Sequence, residues 1–183
     1  MSLDFNQNYF ELFDLPISFQ IDKSKLNQQF RSLQSAYHPD KFVNEDDAAK
    51  RYSIQCTSFI NDAFETLNSL RVRARYLLVM KDVEFNDDTD TTNDGEFLFQ
   101  QMEYRQQIEQ AQAESSPNAV IDELDKIDAV VKQHAQKLYE QFESNYLEEK
   151  YDEAKQVVLK MKYYERLQGE VKQQLEHYED QLF

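Results

Sequence analysis

Glycine and proline are nearly missing from this chain, with two of the first and three of the second in 183 residues. All-β folds turn tightly and often, and such turns draw on both residues. Their scarcity, beside abundant Gln, Glu, Lys, Leu and Ala, points to long helices. Cysteine is represented by Cys56 alone. A lone thiol forms no disulfide within the chain, suits a reducing compartment and reads as a small buried hydrophobe. No run of about 18 apolar residues exists, so no segment reads as a membrane span. The first eight residues have neither a basic stretch nor an Arg-rich amphipathic pattern, so no targeting peptide is read there. The expected location is the cytoplasm of a bacterium.

Positive charge is also in short supply. The net charge is −15, and it is uneven. Residues 1–80 carry 9 Lys/Arg against 10 Asp/Glu, whereas residues 81–183 carry 11 against 25. The second half would repel a phosphate backbone, which argues against nucleic acid as a partner. One stretch departs from the acidity: residues 23–39 contain Lys23, Lys25 and Arg31 and no acid. Such a face suits an acidic partner, although three basic residues are equally an ordinary solvated helix surface.

What remains is helical periodicity. Tyr9 to Phe13 forms a short apolar turn before Leu15-Pro16. Asp22 is a suitable N-cap for a helix from Lys23 to Tyr37. Leu26, Phe30, Leu33 and Tyr37 fall on one face of it, and Pro39 ends it. A second long helix is expected from about Asp46 to Leu67, burying Tyr52, Phe59, Ile60, Ala63 and Leu67. A shorter one follows from Val72 to Met80. Residues 82–94 are acidic and rich in Asx and Thr, and they read as a solvated linker. A calcium loop of the EF-hand kind would need Gly and Glu in a frame that Gly95 does not have.

Three more helices are expected after it, at about Glu96–Glu114, Pro117–Ser144 and Tyr151–Phe183. Ser116 would cap the middle one, with Pro117 at its first position. Their short connections favour an antiparallel three-helix bundle. Phe97, Tyr104, Ile108 and Ala111 make one core stripe; Val120, Leu124, Ile127, Val131, Leu138 and Phe142 make another; Ala154, Val158, Met161 and Val171 make the third. Leu98, Phe99 and Met102, with Leu159 and Tyr163 on the last helix, point away from those stripes. A second apolar stripe either packs on a further element or forms a binding patch.

His38-Pro39-Asp40 lies between two amphipathic helices. An acid–base pair would need a third group and a pocket, and the chain shows no nucleophile elbow and no Gly-rich phosphate loop. A metal site would need more ligands than the tripeptide offers, and His134 and His177 stand apart on other helices. Alone, the tripeptide also reads as a helix-ending proline between two polar residues. No catalytic residue, metal or cofactor is therefore expected.

The setting of the tripeptide is more specific. Tyr37-His38-Pro39-Asp40-Lys41-Phe42 follows the acid-free helix, and Ile60-Asn61-Asp62-Ala63-Phe64-Glu65-Thr66-Leu67 comes later. Together they resemble a J-domain. With Asn8-Tyr9-Phe10-Glu11-Leu12-Phe13-Asp14-Leu15-Pro16 before, and Arg73-Ala74-Arg75-Tyr76-Leu77-Leu78 and Glu96-Phe97-Leu98-Phe99-Gln100-Gln101-Met102-Glu103 after, nearly the whole chain is similar to the HscB family. These are J-type co-chaperones of iron–sulfur cluster biogenesis. The resemblance implies an all-α protein with a J-domain over residues 1–81 and a C-terminal antiparallel three-helix bundle over 95–183. It implies that His38, Pro39 and Asp40, with Lys25, Arg31 and Lys41, dock on a specialised Hsp70 of the HscA type and stimulate its ATPase. It further implies that Leu98, Phe99, Met102, Glu103, Gln106 and Tyr163 hold an iron–sulfur scaffold protein of the IscU type. Two positions depart from the family: Leu70 directly follows Ser69 where a proline is common, and Gln106 replaces an acid. The alternative from another class is an acidic helical structural or dimerising protein without chaperone activity.

Overall fold

The computed structural model describes residues 3–86 and 89–182, and every regular element in those residues is helical. Met1, Ser2, the acidic Asp87 and Asp88, and Phe183, expected to end the last helix, lie outside them. The chain divides into two compact units, residues 1–81 and 82–183.

The first unit holds α1 (Tyr9–Leu12), α2 (Lys23–Tyr37), a 3-10 turn at Pro39–Phe42, α3 (Asp47–Asn68) and α4 (Leu70–Val79). Asp22 caps α2, its Oδ1 accepting from the Ser24 and Lys25 amides. Asp46 and Ser69 cap α3 and α4. Ser69 Oγ accepts from the Val72 amide, so α4 starts cleanly at Leu70 without a proline there. The α2–α3 hairpin is antiparallel. Ser53 and Thr57 meet Tyr37, and Phe64 stacks on Phe30 with ring centroids 3.9 Å apart.

Burial in this hairpin is narrower than the periodicity suggests. On α2 only Leu26 is fully buried; Phe30, Leu33 and Tyr37 are half-buried. On α3 the buried stripe is Ser53, Cys56, Ile60, Ala63 and Leu67. Tyr52 and Phe59 flank it instead, meeting Phe5 edge-to-face. Arg73 on α4 is 1% exposed. It donates to the Leu67 carbonyl at the C-terminal end of α3 and lies 5.5 Å from the Phe19 ring centroid. Burial lowers its pKa from the ordinary guanidinium value to about 10.

The second unit is an antiparallel bundle of α5 (Gly95–Gln112), α6 (Pro117–Leu147) and α7 (Tyr151–Glu179), ended by a 3-10 turn at Asp180–Leu182. Asp94 caps α5 and Ser116 caps α6. The three stripes are buried apart from the partly buried Leu138, and one core joins Phe97, Tyr104, Ile108 and Ala111 on α5 to Val120, Leu124, Ile127 and Val131 on α6 and to Tyr164, Leu167 and Val171 on α7. Leu159 departs from expectation. It is buried, because α7 buries Val157, Val158, Leu159 and Met161 around more than one of its faces.

The segment read as a solvated linker differs too. Lys155 on α7 donates to the Glu84 carbonyl, pairs with Asp90 at 2.8 Å and lies over the Phe85 ring. Thr92 is buried. The described part of 82–94 is thus held against α7.

Helix ends in this chain use almost no glycine. The positive φ angles among the described residues belong to Asp14, Asp82 and Glu149. After α6, the Glu149 amide donates to the Tyr146 carbonyl and the Lys150 amide to the Asn145 carbonyl. This is a Schellman ending with Glu where Gly is usual. Left-handed backbone costs a non-Gly residue about 1–2 kcal/mol, and Gly costs about 0.5–1 in chain entropy. Glu149→Gly should therefore raise stability by about 0.5–1 kcal/mol in a urea titration. An unchanged or lower midpoint would show that Glu149 is not strained.

Candidate partner-binding sites

The first site grows from the end of α2. Proline at 39 pushes His38 out of helical geometry, to φ −58° and ψ 131°. The Tyr37 carbonyl is met from the neighbouring helix. Ser53 Oγ on α3 donates to it at 2.9 Å, and Thr57 Oγ1, 3.2 Å away, shares its one proton between it and the Ser53 carbonyl at 2.9 Å. The tripeptide is not a loose loop. Pro39 opens the 3-10 turn, and the His38 ring caps it, Nδ1 accepting from the Asp40 amide at 3.2 Å. The Lys41 amide donates to the His38 carbonyl. A neutral His38 therefore carries its proton on Nε2. The Asp40 side chain is 86% exposed, with Oδ2 3.5 Å from His38 Nδ1. Its backbone is fixed while its carboxylate faces solvent.

The basic residues do not form one tight cluster. Lys25 and Arg31 stand about 120° apart around α2. Lys25 is ion-paired with Asp14 at 2.8 Å, while Arg31 and Lys41 are exposed. The sequence reading missed Ser53 and Thr57. Their signal was present: Ser53 is a hydroxyl on an otherwise apolar stripe, and Thr57 lies one turn further along α3.

The second site is the outer arc of α5. Phe99 is 62% exposed and Met102 66%. Glu103 and Gln106 are exposed beside them, and Leu98 is half-buried against the core. At 100° per residue these five span about 140° of the helix. Tyr163 joins from α7. It is half-buried, edge-on to Phe97 with centroids 5.6 Å apart, and its hydroxyl lies 2.9 Å from Thr91 Oγ1.

A cleft of about 500 Å³ adjoins the arc, lined by Phe99, Glu103, His134, Lys137, Leu138 and Lys160 among others. At its wall, His134 Nδ1 is hydrogen-bonded to the Tyr104 hydroxyl. Burial, then the Lys137 charge, pulls the His134 pKa down. Burial raises that of Tyr164, whose hydroxyl donates to Gln100. Asp94 ties the arc to α7: Oδ1 caps α5 through the Phe97 amide, and Oδ2 meets Lys160 Nζ at 2.6 Å. The Lys160 hydrogen bond, then the Phe97 amide, holds its carboxyl below the ordinary value. These polar groups hold helices and rings in place, and the exposed groups suit docking.

A family model described as the HscB C-terminal oligomerisation domain matches residues 93–172. A co-chaperone HscB homologue from Shewanella halifaxensis is 39% identical over 177 residues, spanning 96% of this chain and 99% of that relative. The chain belongs to the HscB co-chaperone family. The structure of HscB from Vibrio cholerae matches with a TM-score of 0.83 at 34% identity, covering 97% of this chain and 100% of that one. Human HscB matches with a TM-score of 0.82 at 29% identity, covering 94% and 84%. The fold is that of HscB proteins, an N-terminal J-like domain and a C-terminal helical bundle. Its relatives are co-chaperones, a non-enzymatic class. Among the described residues no helix is long and apolar enough to cross a membrane.

Two outcomes test this geometry. Replacing Ser53 with Ala and Thr57 with Val removes both hydroxyls that meet the Tyr37 carbonyl, which should cost about 1–3 kcal/mol. Hydrogen exchange at the Asp40 and Lys41 amides should also quicken; native-like exchange would mean the hydroxyls do not hold the turn. Asp94 supplies the pH test. Its folded pKa lies below the unfolded value of 3.8. Its contribution is thus full above that value and lost as pH falls through the folded one. The stability gap between native chain and Asp94→Asn should close across that acid window, and a gap independent of pH would contradict the assignment.

Proposed function

We propose that the chain stimulates the ATPase of a specialised Hsp70 of the HscA type and presents to it an iron–sulfur scaffold protein of the IscU type. Residues 1–81 act as the stimulating J-domain, residues 95–183 as the scaffold-binding domain and residues 82–94 as their connection. The observation that carries the reading is Asp40, an exposed carboxylate on a turn whose backbone is already bonded. Such a group can accept a bidentate arginine from a partner with little ordering cost. His38 and Pro39 shape the turn, and Arg31 and Lys41 steer an acidic partner toward it. Lys25 contributes less, since Asp14 offsets its charge.

On the second unit, Phe99 and Met102 supply apolar area for the scaffold, Leu98 and Tyr163 border it, and Glu103 and Gln106 form a polar rim. With both partners on one chain, the scaffold's effective concentration at the chaperone rises. ATP hydrolysis then closes the chaperone on its client and favours cluster transfer. Membership of a bacterial and eukaryotic co-chaperone family supports this, and the bacterial relatives point to a bacterial cytoplasm. The oligomerisation named in the matching family's description supports a second reading, in which the α5 arc joins two copies of this chain. Sedimentation of Phe99→Ala separates them, since only an arc used for self-association changes the native mass.

The direct test is Asp40→Asn, which keeps shape and removes charge. It should bind the scaffold with native affinity and lose nearly all stimulation of the chaperone's ATP turnover. Stimulation at the native level would refute the role of Asp40.

A further inference from the structure

The described residues before α5 include a strap, 89–94, that has no helix of its own and yet is fastened to α7 at three points. Asp90 pairs with Lys155, Asp94 pairs with Lys160, and between them the Thr91 hydroxyl meets that of Tyr163 at 2.9 Å. Both partners of the Asp90–Lys155 pair are only about one-fifth exposed, so solvent screens it less than an ordinary surface pair. Thr92, next to Thr91, is buried. The strap's backbone is therefore anchored on either side of Thr91 independently of the Thr91 hydroxyl.

We propose that Thr91 is a positioning residue for scaffold docking, holding the Tyr163 ring at the edge of the α5 arc. The proposal rests on the reading of that arc as the scaffold site. The Tyr163 ring is set on one side by the edge of Phe97 and at its tip by Thr91. Without the hydroxyl bond, the ring still has room at its solvent side, because it is only half-buried. Binding must then order the ring, and the affinity falls by that cost. Thr91 needs only its hydroxyl for this role, so Ser replaces it and Val does not.

The experiment measures binding of the purified iron–sulfur scaffold protein to the full chain and to Thr91→Val, Thr91→Ser, Tyr163→Phe, the Thr91→Val/Tyr163→Phe double variant and Phe99→Ala. Thr91→Val and Tyr163→Phe should each weaken binding about two- to five-fold, the range expected for one exposed hydrogen bond. The double variant should be no weaker than either single, and Thr91→Ser should bind as the native chain does. Melting midpoints should be unchanged throughout, because the flanking ion pairs remain. Losses that multiply in the double variant, or native binding by Thr91→Val while Phe99→Ala binds weakly, would overturn the strap proposal alone. Native binding by Phe99→Ala would overturn the docking face and, with it, the strap.

Discussion

Helix termination is the constraint on which the rest of this molecule depends. Among the described residues seven α-helices must start and stop, in a chain with two glycines and three prolines. Both glycines lie inside helices, Gly95 at the first position of α5 and Gly169 within α7. Short polar side chains do the work instead. Asn8, Asp22, Asp46, Ser69, Asp94 and Ser116 each accept a first-turn amide. Asp14 and Glu149 take the left-handed backbone that glycine usually provides. Each orphaned backbone group would otherwise cost about as much as a lost hydrogen bond.

The same device shapes both proposed docking surfaces. His38 is the cap of the 3-10 turn, so its ring organises the backbone that displays Asp40. Asp94 is the cap of α5 and the ion-pair partner of Lys160, so one carboxylate sets both where the arc begins and how it meets α7. Asp14 ends α1 and draws Lys25 into an internal pair, which removes part of the basic face from any partner. Residues that end helices thus also set the surroundings of the proposed recognition groups. A change at one of them alters stability and binding together, which is why charge-only or hydroxyl-only replacements separate the two effects best.

Much of the fold was legible because caps and periodicity are local signals. Asp22, Asp46 and Ser116 marked helix starts that the structure places within a residue of expectation, and the three bundle stripes proved to be buried apart from the half-buried Leu138. What sequence could not show was non-local. Ser53 and Thr57 matter because the hairpin brings them to the Tyr37 carbonyl. The acidic run became a strap because Lys155, Lys160 and Tyr163 stand about 70 residues further on, in reach only after folding. Leu159 was misplaced for a related reason: a helical wheel tells which residues share a face, not how many faces are covered. The exposed positions of Phe99 and Met102 were readable, since both lie opposite a well-marked stripe.

The central claim is that one chain couples chaperone activation on its first unit to client docking on its second. Steady-state ATP turnover by the Hsp70, at fixed co-chaperone and rising iron–sulfur scaffold protein, tests this most directly. The native chain should stimulate turnover with the scaffold beyond the sum of their separate effects. A Phe99→Asp/Met102→Asp chain should keep the scaffold-free stimulation and lose the excess. An excess that survives this change undiminished would contradict the account.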